Sequence, residues 1–399
     1  MKKRISGFSL AVATAVSLGA FVFAGSAAKA QDYAALARRI VKTSASVKPG
    51  DVVVVSGGKH DVALMEDLAI ESAKAGGLVT MFLDSDKLER AIFTEVPEQY
   101  LEQQPAYFVE WLKHIKVFIG LPGVEDPKAT YGDVPPERFA KANKAGQVIA
   151  DALNASGVRI VNVGYPTQSN AAVNQLDFAT YQKVFWDAVG ADYQKISEQG
   201  NKLKQMLQGA KTVRVTSPSG TDFTFSVGDR PIFVNDGIMT EEKAKSQLAV
   251  TRFVSLPSGS VFFAPIETSA NGKVVVPRAR CQFKPLTGES FEFKQGHLEN
   301  FKAEQGAQCF AEFMAPYSGP KDVFSSFQIG LNPAAKVMEN PGDYRPGYAA
   351  GLVSIGTGDN QLIGGSNKVQ GGGGWDAPIV NATVTIDGKT VVKDGKLTL

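Results

Sequence analysis

Histidine and cysteine are nearly missing from this chain of 399 residues, which holds three of one and two of the other. His60, His114 and His297 stand far apart, and none pairs at the i, i+4 spacing of a helical zinc motif, so a zincin site is excluded. Cys281 and Cys309 fit no zinc-ligand spacing. No G-x-S-x-G elbow occurs, which argues against an α/β-hydrolase. Ser318-Gly319-Pro320-Lys321 matches S-x-x-K in letters only, because Pro320 breaks the helical turn that would align serine with lysine. Gly57-Gly58-Lys59 lacks both nucleotide-binding patterns and reads as a tight βα turn. Of the histidines, His60 is placed to cap the helix after that turn, His114 beside Trp111 reads as structural, and His297 alone falls in the second half.

A surplus of positive charge is also absent. The whole chain carries 42 basic and 40 acidic residues, but Lys2, Lys3, Arg4 and Lys29 lie in the first thirty residues, which contain no acid. Without them the balance is 38 against 40, a net charge near −2. A nucleic-acid partner needs a basic surface to displace counterions, and none is supplied. The apolar run Phe8 to Ala24 falls short of a membrane span. With its basic start and the small residues Ala28-Lys29-Ala30 before Gln31, it has the layout of a secretory signal cleaved after Ala30. No cysteine lies near that point to take a lipid, so the expectation is a periplasmic or secreted protein with no membrane attachment once the signal is removed. In an oxidising compartment Cys281 and Cys309 form either a disulfide, contributing about 3–4 kcal/mol in the chain-entropy model, or two buried thiols.

What is present is a core-forming hydrophobic content of 44% and forty glycines. Val52 to Val55 is a continuous apolar run, the mark of a strand buried on both faces. Leu78 to Leu83, Val117 to Leu121 and Val158 to Val163 follow as strands, alternating with helices over residues 63–73 and 136–156. This alternation predicts an α/β domain over residues 31–208, a parallel sheet flanked by helices and closed by one long helix from Tyr181 to Leu207. Beyond Gly209, short alternating strands and one helix near Ala307 to Met314 predict an α+β domain over residues 209–399. Asp387-Gly388 and Asp394-Gly395 mark hairpins at its end. Glycines cluster at Gly330, Gly351 to Gly356, Gly364-Gly365 and Gly371 to Gly374, which suggests several loops converging on one cleft.

The order of these segments resembles the thermophilic metallo-aminopeptidase family typified by aminopeptidase T. Gly220-Thr221-Asp222-Phe223 resembles that family's G-T-D-L strand, and Leu256-Pro257-Ser258-Gly259-Ser260-Val261-Phe262 its L-P-x-G-E-V-F segment. Ser326-Phe327-Gln328-Ile329-Gly330-Leu331-Asn332-Pro333 resembles E-x-G-I-G-x-N-P. Gly351 to Gly356 and Gly364-Gly365-Ser366-Asn367 follow in the same order, and Gly374-Trp375-Asp376 falls where the family has H-x-D. The resemblance implies a two-domain architecture, a homodimer, and removal of N-terminal residues from peptides by a pair of zinc or cobalt ions that activate a bridging water.

The implied ligand set is largely replaced. Ser260 and Ser326 stand at the glutamate positions, Ser354 and Gly374 at the histidine positions, and only Asp376 remains as a candidate metal ligand. One carboxylate cannot hold two divalent ions, so no cofactor is expected unless the site has been rebuilt. Three functions follow. The first is an exported, non-catalytic relative binding a peptide or small polar ligand in the C-terminal cleft, with Trp375 and Asp376 on its wall. The second is an active metallo-aminopeptidase with a rebuilt site drawing on Glu267, Asp376, Asp359 or Glu312. The third is a structural subunit.

Overall fold

Val53, Val54 and Val55 are fully buried, as a strand covered on both faces requires. They belong to a computed structural model that describes residues 32–103, 106–281, 284–339, 342–370 and 373–399. The expected signal segment and Gly371-Gly372 lie outside the described residues.

In chain order the strands are β1 (Val52–Gly58), β2 (Leu78–Asp84), β3 (Val117–Gly120), β4 (Arg159–Val163), β5 (Val213–Thr216), β6 (Asp222–Phe225), β7 (Ile232–Asn235), β8 (Phe253–Leu256) and β9 (Ser260–Phe263). They continue as β10 (Asn271–Cys281), β11 (Lys284–Lys294), β12 (His297–Lys302), β13 (Phe324–Gly330), β14 (Val353–Thr357), β15 (Asp376–Ile379), β16 (Thr383–Ile386), β17 (Lys389–Lys393) and β18 (Lys396–Leu397).

The α/β portion is a five-stranded sheet in the order β2-β1-β3-β4-β8, parallel throughout. Its fifth strand comes from Phe253–Leu256, so the chain returns to the first sheet after building part of the second region. The α+β portion holds two antiparallel sheets, one of eight strands (β12-β11-β10-β6-β5-β16-β17-β18) and one of five (β15-β14-β13-β9-β7). Between them lies an aromatic core. The rings of Phe225 and Phe327 stand 4.8 Å apart, those of Phe293 and Phe324 4.9 Å, and those of Phe225 and Phe324 5.1 Å. Each buried phenylalanine contributes on the order of 1.5–3 kcal/mol through area removed from water.

The long helix expected from Tyr181 to Leu207 is instead two helices, Phe178–Val189 and Tyr193–Leu207. Gly190 ends the first, its N–H donating to Trp186 O, and the Asp192 carboxylate caps the second by accepting from the N–H groups of Gln194 and Lys195. Cys281 at the end of β10 is bonded to Cys309 on the helix Ala307–Met314, which settles the two alternatives in favour of the disulfide. Among the described residues no helix is long and apolar enough to cross a membrane.

Candidate functional site

Strand alternation sorts the five-stranded antiparallel sheet into two unlike faces. Val261, Phe263, Phe327, Ile329, Val353, Ile355, Ala377 and Ile379 point into the core and are buried. The alternate residues make the other face. Register aligns Phe233, Phe262, Gln328, Ser354 and Pro378 in one row across β7, β9, β13, β14 and β15. Ser326, Gly356 and Asp376 form the row on one side of it, and Asn235, Ser260 and Gly330 the row on the other. Four of the positions singled out in the sequence, Ser260, Ser326, Ser354 and Asp376, are thus brought onto one sheet face by backbone register alone.

The tightest part of this face is at Gly356. A Cβ there would lie 2.3 Å from Ser326 Oγ and 2.6 Å from Asp376 Oδ1, so the hydroxyl and the carboxylate lean over the glycine from the strands on either side. Asp376 is open to water, yet enough protein surrounds its carboxyl that desolvation raises it above the ordinary aspartate range. Gln328 Nε2 donates to Gly347 O at 2.9 Å, which fastens the 347 loop above the middle row. The rings of Phe233 and Phe262 stack at 5.5 Å beside the polar rows. Past them, a cavity of about 610 Å³ opens beside β7, walled by the helix Tyr193–Leu207 and by residues of the segment 240–254.

The remaining sequence candidates fall elsewhere. Trp375 was expected on the cleft wall, but it points the opposite way to its neighbour Asp376 and is buried against Phe310 and Phe313. Its Nε1–H donates to Glu289 Oε1 at 2.6 Å. Glu267 is an anchor between loops: its Oε1 accepts from Asn360 Nδ2 at 3.0 Å and Ser366 N at 2.7 Å, and Arg230 pairs with its Oε2. Burial pushes the Glu267 carboxyl up, but these hydrogen bonds outweigh it and leave the group below its usual range. Asp359 accepts from the backbone of Gln361 and Val369, and Glu312 from its helix neighbour Gln308. His297 pairs with Asp322 at 2.8 Å, and His60 lies in the turn after β1 with its ring against Tyr165.

The glycine clusters are only partly loops, since Gly330 and Gly356 are strand residues. Gly374 is demanded by packing, because a Cβ there would sit 1.8 Å from Thr357 O, a backbone atom that cannot step aside. Sequence reasoning missed β7, Gln328 and the buried Glu289. The short apolar run Ile232-Phe233-Val234 after Pro231 was the available signal for the first, while nothing in the sequence marks the other two.

The donor set does not fit a pair of divalent ions. The face offers three serine hydroxyls, two amides and one carboxylate, and Gly374 has no room for an imidazole in this backbone. Among the described residues no three His, Cys, Asp or Glu side chains converge. The arrangement suits hydrogen bonding to a polar group, with an aromatic pair beside it for an apolar one.

The model of the thermophilic metalloprotease (M29) family matches residues 28–323. The match stops just before β13, so Ser326, Ser354, Gly374 and Asp376 all lie beyond it. No curated protein matches the sequence. Among solved structures, wild-type AmpT from Thermus thermophilus is similar with a TM-score of 0.72 at 17% identity, over 92% of this chain and 99% of that one. The 2,5-dihydroxypyridine dioxygenase of Pseudomonas putida KT2440 is similar with a TM-score of 0.61, also at 17% identity, over 92% and 96%. At that identity both likenesses carry the fold alone.

Proposed function

The chain belongs to the thermophilic metalloprotease (M29) family, and we propose that it is an exported member that binds a peptide on the face of its five-stranded sheet without metal-dependent catalysis. One observation carries this reading: the row Ser326–Gly356–Asp376 keeps a single carboxylate beside one hydroxyl and a glycine. Neutral hydroxyls are poor ligands for divalent ions, while they and an amide serve well to hold a peptide's carbonyl and N–H groups. The test is metal analysis of the purified mature protein together with an assay on N-terminal amino-acid amides. The reading predicts substoichiometric metal and no turnover. Stoichiometric zinc or cobalt, lost together with hydrolysis, would establish an active aminopeptidase with a rebuilt site.

Export is supported by the basic and apolar layout of the first thirty residues and by the Cys281–Cys309 bond, which suits an oxidising compartment. N-terminal sequencing of the protein from the periplasm or medium is expected to begin at Gln31; a chain retaining Met1 inside the cell would contradict it. The proposed homodimer draws support from β2, an edge strand on which Leu78, Met81, Phe82 and Leu83 are exposed and no charge precedes Asp84. Light scattering is expected to give twice the chain mass, and a monomer upon Phe82→Lys; a wild-type monomer would remove this proposal.

A further inference from the structure

Resting on the reading of the protein as a homodimer, we propose how the two copies meet: β2 pairs antiparallel with β2 of a second copy about a two-fold axis at Met81. The two five-stranded parallel sheets then join into one continuous sheet. Among the described residues β2 pairs with β1 alone, in unbroken register from Leu78 to Asp84, so its outer edge is open. The inner side fixes the phase of that edge. Leu78 N donates to Asp51 O at 2.8 Å, so the backbone groups of Leu78 face β1. By alternation along the strand, those of Val79, Met81 and Leu83 face outward. Setting Met81 opposite Met81 places Val79 opposite Leu83 on both sides of the axis, and every outward residue meets another, each pair exchanging two hydrogen bonds. Moving the axis to Thr80 or Phe82 sets Leu83 opposite Gly77 or Val79 opposite Ser85, both outside the strand.

A second copy is the occupant because β2 is bare on both faces as well as at its edge. Strands of a parallel sheet are covered by helices on both sides, and β1 obeys that rule. The helix Val62–Lys74 packs on its Val53 and Val55 face, and the helix Ala106–Leu112 on its Val54 face. Neither helix covers β2 fully. Leu78 and Phe82 on one face are 63% and 39% exposed, and Met81 and Leu83 on the other 41% and 53%. The flanking helices leave apolar side chains open as well, Ile70 on the first and Tyr107 on the second. A lone peptide strand would pair with the edge and leave both faces bare; a lone helix would cover one face and leave the edge unpaired. The β2 edge of another copy supplies a strand together with its own two helices. It also matches itself: Val79, Met81 and Leu83 oppose only one another on one face, Thr80 meets Phe82 on the other, and like charges meet nowhere. Such pairing is closed, since it uses both edges and leaves none for a third copy.

The chain's two cysteines are joined in the Cys281–Cys309 disulfide, so an introduced thiol is its only free one. The experiment combines light scattering with cross-linking of mature Val79→Cys, Met81→Cys and Leu83→Cys proteins by a bifunctional thiol reagent spanning about 5 Å, the separation of opposed Cβ atoms. Met81→Cys is expected to give a covalent dimer by itself. Val79→Cys and Leu83→Cys, whose own copies lie about 13 Å apart along the paired strands, are expected to link only when the two proteins are mixed and allowed to exchange subunits. A Met81→Cys protein that scatters as a monomer also locates the contact at β2, and the mixed pair then reads the register. A dimeric mass with no link in the mixed pair, or with Val79→Cys or Leu83→Cys linking to itself, would overturn the β2 pairing while leaving the homodimer in place. A wild-type protein with the mass of one chain would overturn both.

Discussion

The two faces of the five-stranded antiparallel sheet are built from the same strands, residue by alternate residue, and obey different rules. On the inner face, phenylalanine and branched aliphatics interlock with the eight-stranded sheet, and every side chain is held by shape. On the outer face, serine, glutamine, glycine and one aspartate are held by register and a few hydrogen bonds. The contrast teaches that packing on the inner face fixes the backbone positions of the outer one, so the outer side chains are free to differ without moving the strands.

The largest expected effect lies on the inner face. Phe327→Ala should cost about 3–5 kcal/mol in urea denaturation, through lost transfer energy plus a cavity. Ser326→Ala, one residue earlier on the outer face, should change stability by less than about 0.5 kcal/mol. Similar losses at the two positions would erase the distinction.

Next is Glu289, fully buried behind Trp375 and pushed up to about 7 by desolvation, against the weaker downward pull of the Trp375 hydrogen bond. The folded protein then holds a proton that the unfolded chain releases near pH 4.5. The stability from this group is full below that pH and is lost as pH rises through 7, on the order of 3 kcal/mol across the window. Glu289→Gln should flatten that part of the stability–pH profile; an unchanged slope would show that other groups set it.

Gly374→His restores the residue type that the family resemblance implies at this position, yet it drives a Cβ onto Thr357 O. It should cost about 1–3 kcal/mol and recruit no zinc, as read by thermal denaturation and metal analysis. A stable variant that binds zinc would mean that the backbone of the outer face is freer than its packing implies. The smallest stability effect belongs to Asp376→Asn. Removing a carboxylate whose ionisation is opposed by its surroundings should leave stability unchanged within about 0.5 kcal/mol, while peptide affinity falls about tenfold.

Much of the parallel sheet was legible in the sequence, because buried strands such as Val52 to Val55 have no polar alternation to confuse them. The serine and aspartate positions were legible only through ordered resemblance, which supplied their register before any contact was known. Trp375 misled because an aromatic beside an acid suits a cleft wall as well as a core, and only its alternation with Asp376 decides which. The edge of β7 and the buried Glu289 were illegible for a common reason: each depends on what packs against it from distant segments, the helix Tyr193–Leu207 in one case and Trp375 in the other.

The central claim is that the cleft works without metal. Its most direct test is titration of the mature protein with a short peptide before and after exhaustive chelation. The account predicts the same dissociation constant in both, with no recovery of hydrolysis on adding zinc or cobalt. Binding abolished by the chelator and restored by either ion would contradict it.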